Sequence, residues 1–408
     1  MRHLEIYSFG PVKDVSVDLK RYNFIIGPQS SGKSTIAKVL STCTWIEKEV
    51  HTTLNENVIA SDADFKKLLE DFHKMDNYFE DDTHIIYETE FIRIEYRKDY
   101  FSAKCKENVE YHRNKICYIP ADRNMVTLPE LQGFEFGQTN LRSFLFDWFN
   151  AREFYVADNK TDVLNLGVKY YFDDGEKRLK DRIEHSNGKT YHIALSSASS
   201  GLQSVIPLLI MMQYYTGEYF NSYAERMSFD VDSKIRKTRR VLVDKFVLNV
   251  VKPGFSSEER SELVKMTNDK VHEGDDFYLG LYRKYWAVAN RLIIPAKSSF
   301  IIEEPEQNLY PSTQMDLLNV LIGLCQGDKE HDITITTHSP YILNQLNLLV
   351  KLYDVNADNV AKLNWDEMTV FAVEDGEVRD LKLKNAHLIN PEYLSAPLDA
   401  IYDQYEKL

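Results

Sequence analysis

The sequence predicts an α/β fold: a mixed sheet with an antiparallel β lobe, and a helical subdomain inserted late in the chain. Three observations carry this. Two short apolar runs, Tyr22–Ile26 and Phe300–Ile302, each stop abruptly, one at a glycine-rich turn and one at paired acids, as buried strands do where they reach a sheet edge. Each is followed by a helix-compatible run. Ile36, Val39, Leu40 and Cys43 share one face of the first; Met315, Leu317, Leu318, Leu321 and Leu324 recur at helical spacing in the second. Residues 85–120 alternate apolar and polar through Ile92, Ile94 and Tyr96, the period of an antiparallel sheet beside the core.

In chain order, residues 3–26 read as two strands around Gly10-Pro11. The last strand residues lead into Gly27-Pro28-Gln29-Ser30-Ser31-Gly32-Lys33-Ser34, followed by Thr35: a complete GxxxxGKS phosphate-binding loop between strand and helix. Successive backbone N–H groups of such a loop point inward at phosphate oxygens, and the helix start adds favourable potential. Lys33 would reach the β- and γ-phosphates of ATP, and the Ser34 hydroxyl would ligate Mg²⁺. Residues 46–83 are polar and acidic with helical spacing. Residues 125–165 are aromatic-rich and read as helical. Residues 168–195 suggest a hairpin, with turns at Asp173-Asp174-Gly175 and Ser186-Asn187-Gly188.

The strand at 300–302 delivers Glu303, Glu304, Pro305 and Glu306 to its C-terminal edge, where ligands sit in open α/β sheets. Glu303 would hold Mg²⁺ and Glu304 would orient or deprotonate an attacking water; Pro305 stops the strand. Pro311 starts a helix. A further strand, Ile333–Thr337, ends at His338-Ser339-Pro340. His338 reads either as a γ-phosphate contact or as a polar strand end, and its register relative to Glu304 favours the former. Strands near 369–373 and 378–381 bracket Asp375-Gly376.

Taken together, the phosphate loop, the acidic strand with its proline, Asn308-Leu309-Tyr310-Pro311 and Thr336-Thr337-His338-Ser339-Pro340 resemble the ATP-binding-cassette (ABC) ATPases. Within that class the chain is similar to the soluble branch of RecF, SMC heads and OLD-like proteins. It is most like the ATPase subunits of prokaryotic anti-phage systems of the PARIS and Septu types. The resemblance implies an ABC-type head, ATP and Mg²⁺ as ligands, and a signature loop that caps the γ-phosphate of a partner subunit. Ser199, Ser200, Gly201 and Gln203 match that signature, and an apolar run, 205–212, follows. Two departures stand out. Glu303 occupies a position where Asp is usual. In place of a glutamine loop stands Tyr118-Ile119-Pro120-Ala121-Asp122-Arg123-Asn124, whose Asp122 or Arg123 either senses the γ-phosphate or forms a structural Arg–carboxylate pair.

The expected domains are an ATPase head, 1–212 with 298–408, and a helical insertion, 213–297. The insertion carries Lys234, Arg236, Lys237, Arg239 and Arg240, read as a solvated helix face or as a contact to nucleic acid or an acidic partner. The chain's 408 residues and 43% hydrophobic content suffice for one large core plus the insertion, and a net charge of −14 argues against a DNA-coating surface. Cys43, Cys105, Cys117 and Cys325 show no metal or redox spacing and read as reduced residues of a cytoplasmic protein, with no secretion signal and no membrane segment expected. Asp62-x-Asp64 and Asp230-x-Asp232 sit in helical or loop contexts unlike a nuclease metal site. The functional expectation is a switch that dimerises on ATP and scaffolds a separate nuclease or toxin. A RecF-like DNA clamp stands as the alternative, and a transporter subunit is disfavoured. No aromatic before Gly27 stands out as a stacking partner for adenine.

Overall fold

The computed structural model describes residues 2–107, 109–128, 137–173, 175, 180–185, 190–222, 287–358, 360–383, 385–393 and 395–408. The basic cluster Lys234, Arg236, Lys237, Arg239 and Arg240, with Asp230-x-Asp232 and most of the expected insertion, lies outside the described residues.

The fold is α/β, as expected. A hairpin of β1 (Arg2–Phe9) and β2 (Val12–Leu19) precedes β3 (Tyr22–Ile26) and α1 (Lys33–Thr53). After α2 (Asp62–His73) come β4 (Phe79–Glu88), β5 (Ile92–Arg97), β6 (Tyr100–Cys105) and β7 (Asn114–Ile119). Then follow α3 (Asn140–Arg152), β8 (Thr161–Asp162), β9 (Val168–Asp173), β10 (Lys180–His185), β11 (Tyr191–Ala194) and α4 (Ser200–Thr216). The C-terminal part is β12 (Lys297–Glu303), α5 (Pro311–Cys325), β13 (Asp332–Thr337), α6 (Pro340–Asp354), β14 (Met368–Glu374), β15 (Glu377–Asp380) and α7 (Ala396–Tyr405).

Among the described residues one sheet has the order β6-β5-β4-β1-β2-β15-β14-β3-β13-β12-β7, and β11-β10-β9-β8 form a second, antiparallel sheet. In the large sheet β14, β3, β13, β12 and β7 run parallel, while β6, β5, β4, β1 and β2 pair antiparallel. The antiparallel lobe is thus continuous with the parallel core rather than beside it. β7, expected as part of that lobe, instead closes the parallel edge. Its Lys115, in a close ion pair with Asp147 of α3 (2.6 Å), shares one face with Cys117 and Ile119, while Tyr118 on the other face joins the α1 layer, so both faces are covered, as a parallel strand requires.

Strand alternation sorts the core into two layers. Phe24, Ile26, Phe300 and Ile302 face α3, α4, α5 and α6; Ile25 and Ile301 face α1 and α2. Helix α4 is buried on nearly every side, Pro207 included, so it reads as a uniform apolar run rather than an amphipathic one. It crosses the expected boundary at 212 and buries Tyr214 and Tyr215. The segment 125–165, expected as helical, holds α3 and then irregular chain leading to β8. The expected hairpin at 168–195 is three strands, β9, β10 and β11, whose connections fall outside the described residues apart from Gly175. Cys43, Cys117 and Cys325 are buried. Asp62 and Asp64 occupy the first turn of α2, where Ser61 Oγ accepts from Asp64 N; they cap a helix. Among the described residues no helix is long and apolar enough to cross a membrane.

Candidate active site

Register decides where the motifs meet. Ile26 of β3 lies opposite Thr337 of β13, Thr336 opposite Glu303 of β12, and Ile302 opposite Ile119 of β7. Four neighbouring parallel strands therefore end at one level. Just beyond that edge come residues 27–34, His338, Glu304 and 120–123.

The phosphate loop is shaped by two glycines. Gly27 has φ +148, and a Cβ there would stand 2.4 Å from the Val373 carbonyl oxygen of β14. Gly32 has φ +110 and starts α1; its Cβ would press on Val12 at 2.9 Å. Pro28, Gln29 and Ser30 are exposed, with Ser30 in the left-handed region at φ 61. Ser31, Lys33 and Thr35 are buried and Ser34 is half-buried. Lys33 Nζ donates to the Pro28 carbonyl oxygen at 2.5 Å. Burial pushes the Lys33 ammonium below its ordinary range, against the attraction of Glu304 and Glu306.

The acids are placed differently from one another. Glu303 is buried: Oε2 accepts from Ala121 N at 3.3 Å, and Oε1 has no partner in the protein. Glu304 is the first residue past β12 and takes a left-handed backbone, φ 43, which costs a non-glycine residue on the order of 1–3 kcal/mol. Its N–H donates to Thr336 O at 2.9 Å, and its carboxylate lies 3.8 Å from His338 Nδ1. Glu306 is a site residue that the motif reading passed over. Its Oε1 accepts from Thr337 Oγ1 at 2.7 Å and from His338 N at 2.9 Å, and lies 3.5 Å from His338 Nδ1. The acid after Pro305 looks like a solvated turn residue. The available signal was its spacing from Glu304, with one intervening proline to fold it back.

Buried polar atoms without a hydrogen-bond partner gather here: Ser31 Oγ, Tyr118 Oη, Glu303 Oε1, Glu306 Oε2 and Thr336 Oγ1. Buried polar atoms in proteins are normally paired, and a group of them at one strand edge is a place for ligands or ordered water. The donor set fits Mg²⁺ and phosphate: hard oxygen ligands from Ser34 and Glu303, and the N–H groups of a glycine-shaped loop with one ammonium.

The expected signature residues lie at the start of α4. Ser199 and Ser200 are exposed, and Ser199 Oγ accepts from Leu202 N at 3.5 Å as the helix cap. Gly201 packs so closely on the turn after Glu306 that a Cβ would meet Asn308 O at 2.9 Å. Gln203 is turned onto its own loop, with Nε2 donating to Ser196 O (2.9 Å) and Ala198 O (3.1 Å). Among the described residues no hydrogen bond or ion pair joins 199–201 to 27–34. Of the two alternatives at 122–123, Asp122 is exposed. Arg123 is fully buried and bonds neither a carboxylate nor the phosphate loop. It donates only to main-chain carbonyls, a role that no local pattern reveals.

At the opposite edge of the parallel strands a cavity of about 650 Å³ opens among Arg2, Glu47, Tyr87, Tyr111, Lys297 and Asp332. Its charged walls pair with each other: Asp332 accepts from Arg2 (3.0 Å) and Lys297 (3.1 Å), and Glu47 from Tyr87 (2.7 Å). Walls already paired leave little for a ligand, and the phosphate loop lies at the other end of the strands.

No family model matches the chain, and no curated protein sequence does. Solved structures are similar in fold. The SMC head domain from Thermotoga maritima is 9% identical, covering 94% of this chain and 100% of its own, at a TM-score of 0.37. An Smc head bound to the C-winged helix domain of ScpA is 10% identical, with 94% and 97% covered and a TM-score of 0.40. The recombination mediator RecF of the RecFOR pathway is 10% identical, with 93% and 97% covered and a TM-score of 0.31. Likeness this distant transfers no residue role.

Proposed function

We propose that this protein is an ATP-hydrolysing switch that pairs head-to-tail with a second copy when it binds ATP. The observation that carries the reading is the convergence, past four aligned strand ends, of the glycine-shaped loop 27–34, the buried acid Glu303, the strained Glu304 and His338. Backbone N–H groups of 29–33 and the Lys33 ammonium hold the phosphates. Ser34 and Glu303 hold Mg²⁺, which when bound neutralises charge on the transferring phosphoryl group. Glu304 orients the attacking water and accepts its proton. His338, whose main-chain N–H is fixed by Glu306, contacts the γ-phosphate. The exposed Ser199 and Ser200, at a helix N-terminus, cap the nucleotide of the partner copy, so each site needs two chains. The motif resemblance extends the reading to a separate nuclease or toxin controlled by the dimer in anti-phage defence.

The test is mass photometry and turnover of Glu304→Gln in its native operon context. The variant should bind ATP·Mg²⁺, accumulate as a dimer and lose at least about 100-fold in turnover. Normal turnover removes Glu304 as the base, and absence of any ATP-dependent dimer sinks the switch. Co-assembly with a second polypeptide supports the effector reading; a dimer that shifts only with duplex DNA replaces it with a clamp.

A further inference from the structure

Among the described residues Arg123 is the largest charged side chain that is fully buried, with 0% of its surface exposed. A buried guanidinium normally faces a carboxylate. This one spends its donors on five carbonyl oxygens of three segments. Nη1 donates to Glu303 O (2.8 Å) and Pro120 O (3.3 Å), Nη2 to Glu304 O (2.8 Å) and Pro305 O (3.2 Å), and Nε to Ser204 O (3.0 Å). Burial lowers its pKa to about 10, while Glu306, Glu304 and Glu303 pull it upward, so it is a cation at neutral pH.

The acceptors share a purpose. Three belong to the turn that puts Glu304 into its left-handed conformation. Ser204 opens the second turn of α4, one turn behind Ser199–Gly201. The same helix start is pinned to that turn a second time, by Gly201 against Asn308 O. The start of α4 is therefore joined through one guanidinium to the peptide that aims the Glu304 carboxylate, and packs at Gly201 on the turn that follows it.

We infer that Arg123 is a positioning residue that ties the Glu304 carboxylate to the partner-facing start of α4, so that hydrolysis responds to docking of the second copy. Arg123 is fully buried and hydrogen-bonds only main-chain carbonyls, so it acts through those of Glu303–Pro305. The inference rests on the ATPase reading above. Lysine at 123 keeps the charge but has a single point of donation and cannot span acceptors on both sides of a planar fork.

Arg123→Lys should melt as one folded species, bind a fluorescent ATP analogue within about 2-fold of wild type, and still dimerise. Its kcat should fall roughly 100-fold, the scale of a small misplacement of a catalytic group, with KM nearly unchanged. A purely structural arginine would lower the melting temperature and leave kcat of the folded fraction alone, and that result overturns the inference. If Arg123→Lys does not fold, Gly201→Ala decides. Alanine favours the helix but pushes on Asn308 O. Lower kcat with the ATP dimer retained supports the coupling. Unchanged kcat, or a fall that merely follows loss of the dimer, overturns it. Wild type and Glu304→Gln run alongside: absence of ATP turnover in wild type defeats the ATPase reading itself, whereas normal turnover in Arg123→Lys defeats only the coupling.

Discussion

Replacing His73 with leucine should remove a defined part of the acid sensitivity of this protein. His73 is the last residue of α2, 1% exposed, and neither ring nitrogen has a partner. Its ring packs edge-on against Tyr118 at 5.3 Å, and Tyr118 lies beside Glu303 under the proposed metal site. Burial, with a smaller contribution from Lys38, lowers its pKa from 6.5 to about 3. Between those two values the unfolded chain binds a proton at this position and the folded chain does not. Stability therefore rises with pH across the window and is lost as pH falls below 6.5. From pH 8 to pH 5 the loss is RT ln(1 + 10^1.5), about 2 kcal/mol, for any folded pKa well below 5. Other buried histidines contribute equally to both proteins, so the difference isolates His73. Urea unfolding at pH 8 and pH 5, followed by tryptophan fluorescence, should show wild type losing about 2 kcal/mol more than His73→Leu. At pH 8 the variant should be no less stable, because two unpartnered nitrogens leave the core. Parallel pH dependence in the two proteins would refute the reasoning: His73 would then be charged, hydrated or paired in the folded state.

Two further changes probe the site. Ser200→Arg places a long cation on an exposed helix start. It should leave ATP binding by the monomer intact and abolish dimer-dependent hydrolysis, as read by nucleotide titration and phosphate release; loss of binding as well would mean that the loop serves the fold. Glu306→Ala removes the acceptor of Thr337 Oγ1 and His338 N–H and should cost about 2 kcal/mol in denaturation. It should also lower turnover roughly 10-fold as His338 loosens; full turnover would show that His338 is held without it.

The parts of this molecule that were legible in its sequence are those whose cause is local. A strand, a loop needing positive φ at fixed places and a helix start are contiguous, so Gly27 and Gly32 announce their conformation. Period-two alternation likewise announced β4 to β6. The partner of a strand is not local. β7 carries the same composition as its neighbours in sequence, yet it pairs parallel to β12, about 180 residues later, because helices cover both its faces, α3 on one and α1 on the other. Gln203 shows the same limit at the scale of a side chain: a glutamine in a serine-rich loop suits a ligand, and its amide instead closes the loop on Ser196 and Ala198.

Arg123 explains why an acidic site of this kind can stay open to ligands. Glu303, Glu304 and Glu306 stand within a few residues of one another, and three carboxylates so close repel strongly at low dielectric. An ion pair with any one of them would relieve the repulsion by occupying the oxygens that a metal, a water or His338 needs. Arg123 supplies its positive charge from below, through the carbonyls of the same residues, and leaves Glu303 Oε1 and Glu306 Oε2 unpartnered. Lys33 does so from above, donating to Pro28 O rather than to an acid. Two cations thus stand beside the three carboxylates without pairing with any of them. A neutral residue of similar size at 123, such as methionine, would lose both the charge and the fork, while lysine loses only the fork. Comparing the two separates field from position. If the field dominates, lysine retains most of the wild-type turnover and methionine does not; if position dominates, both fall alike.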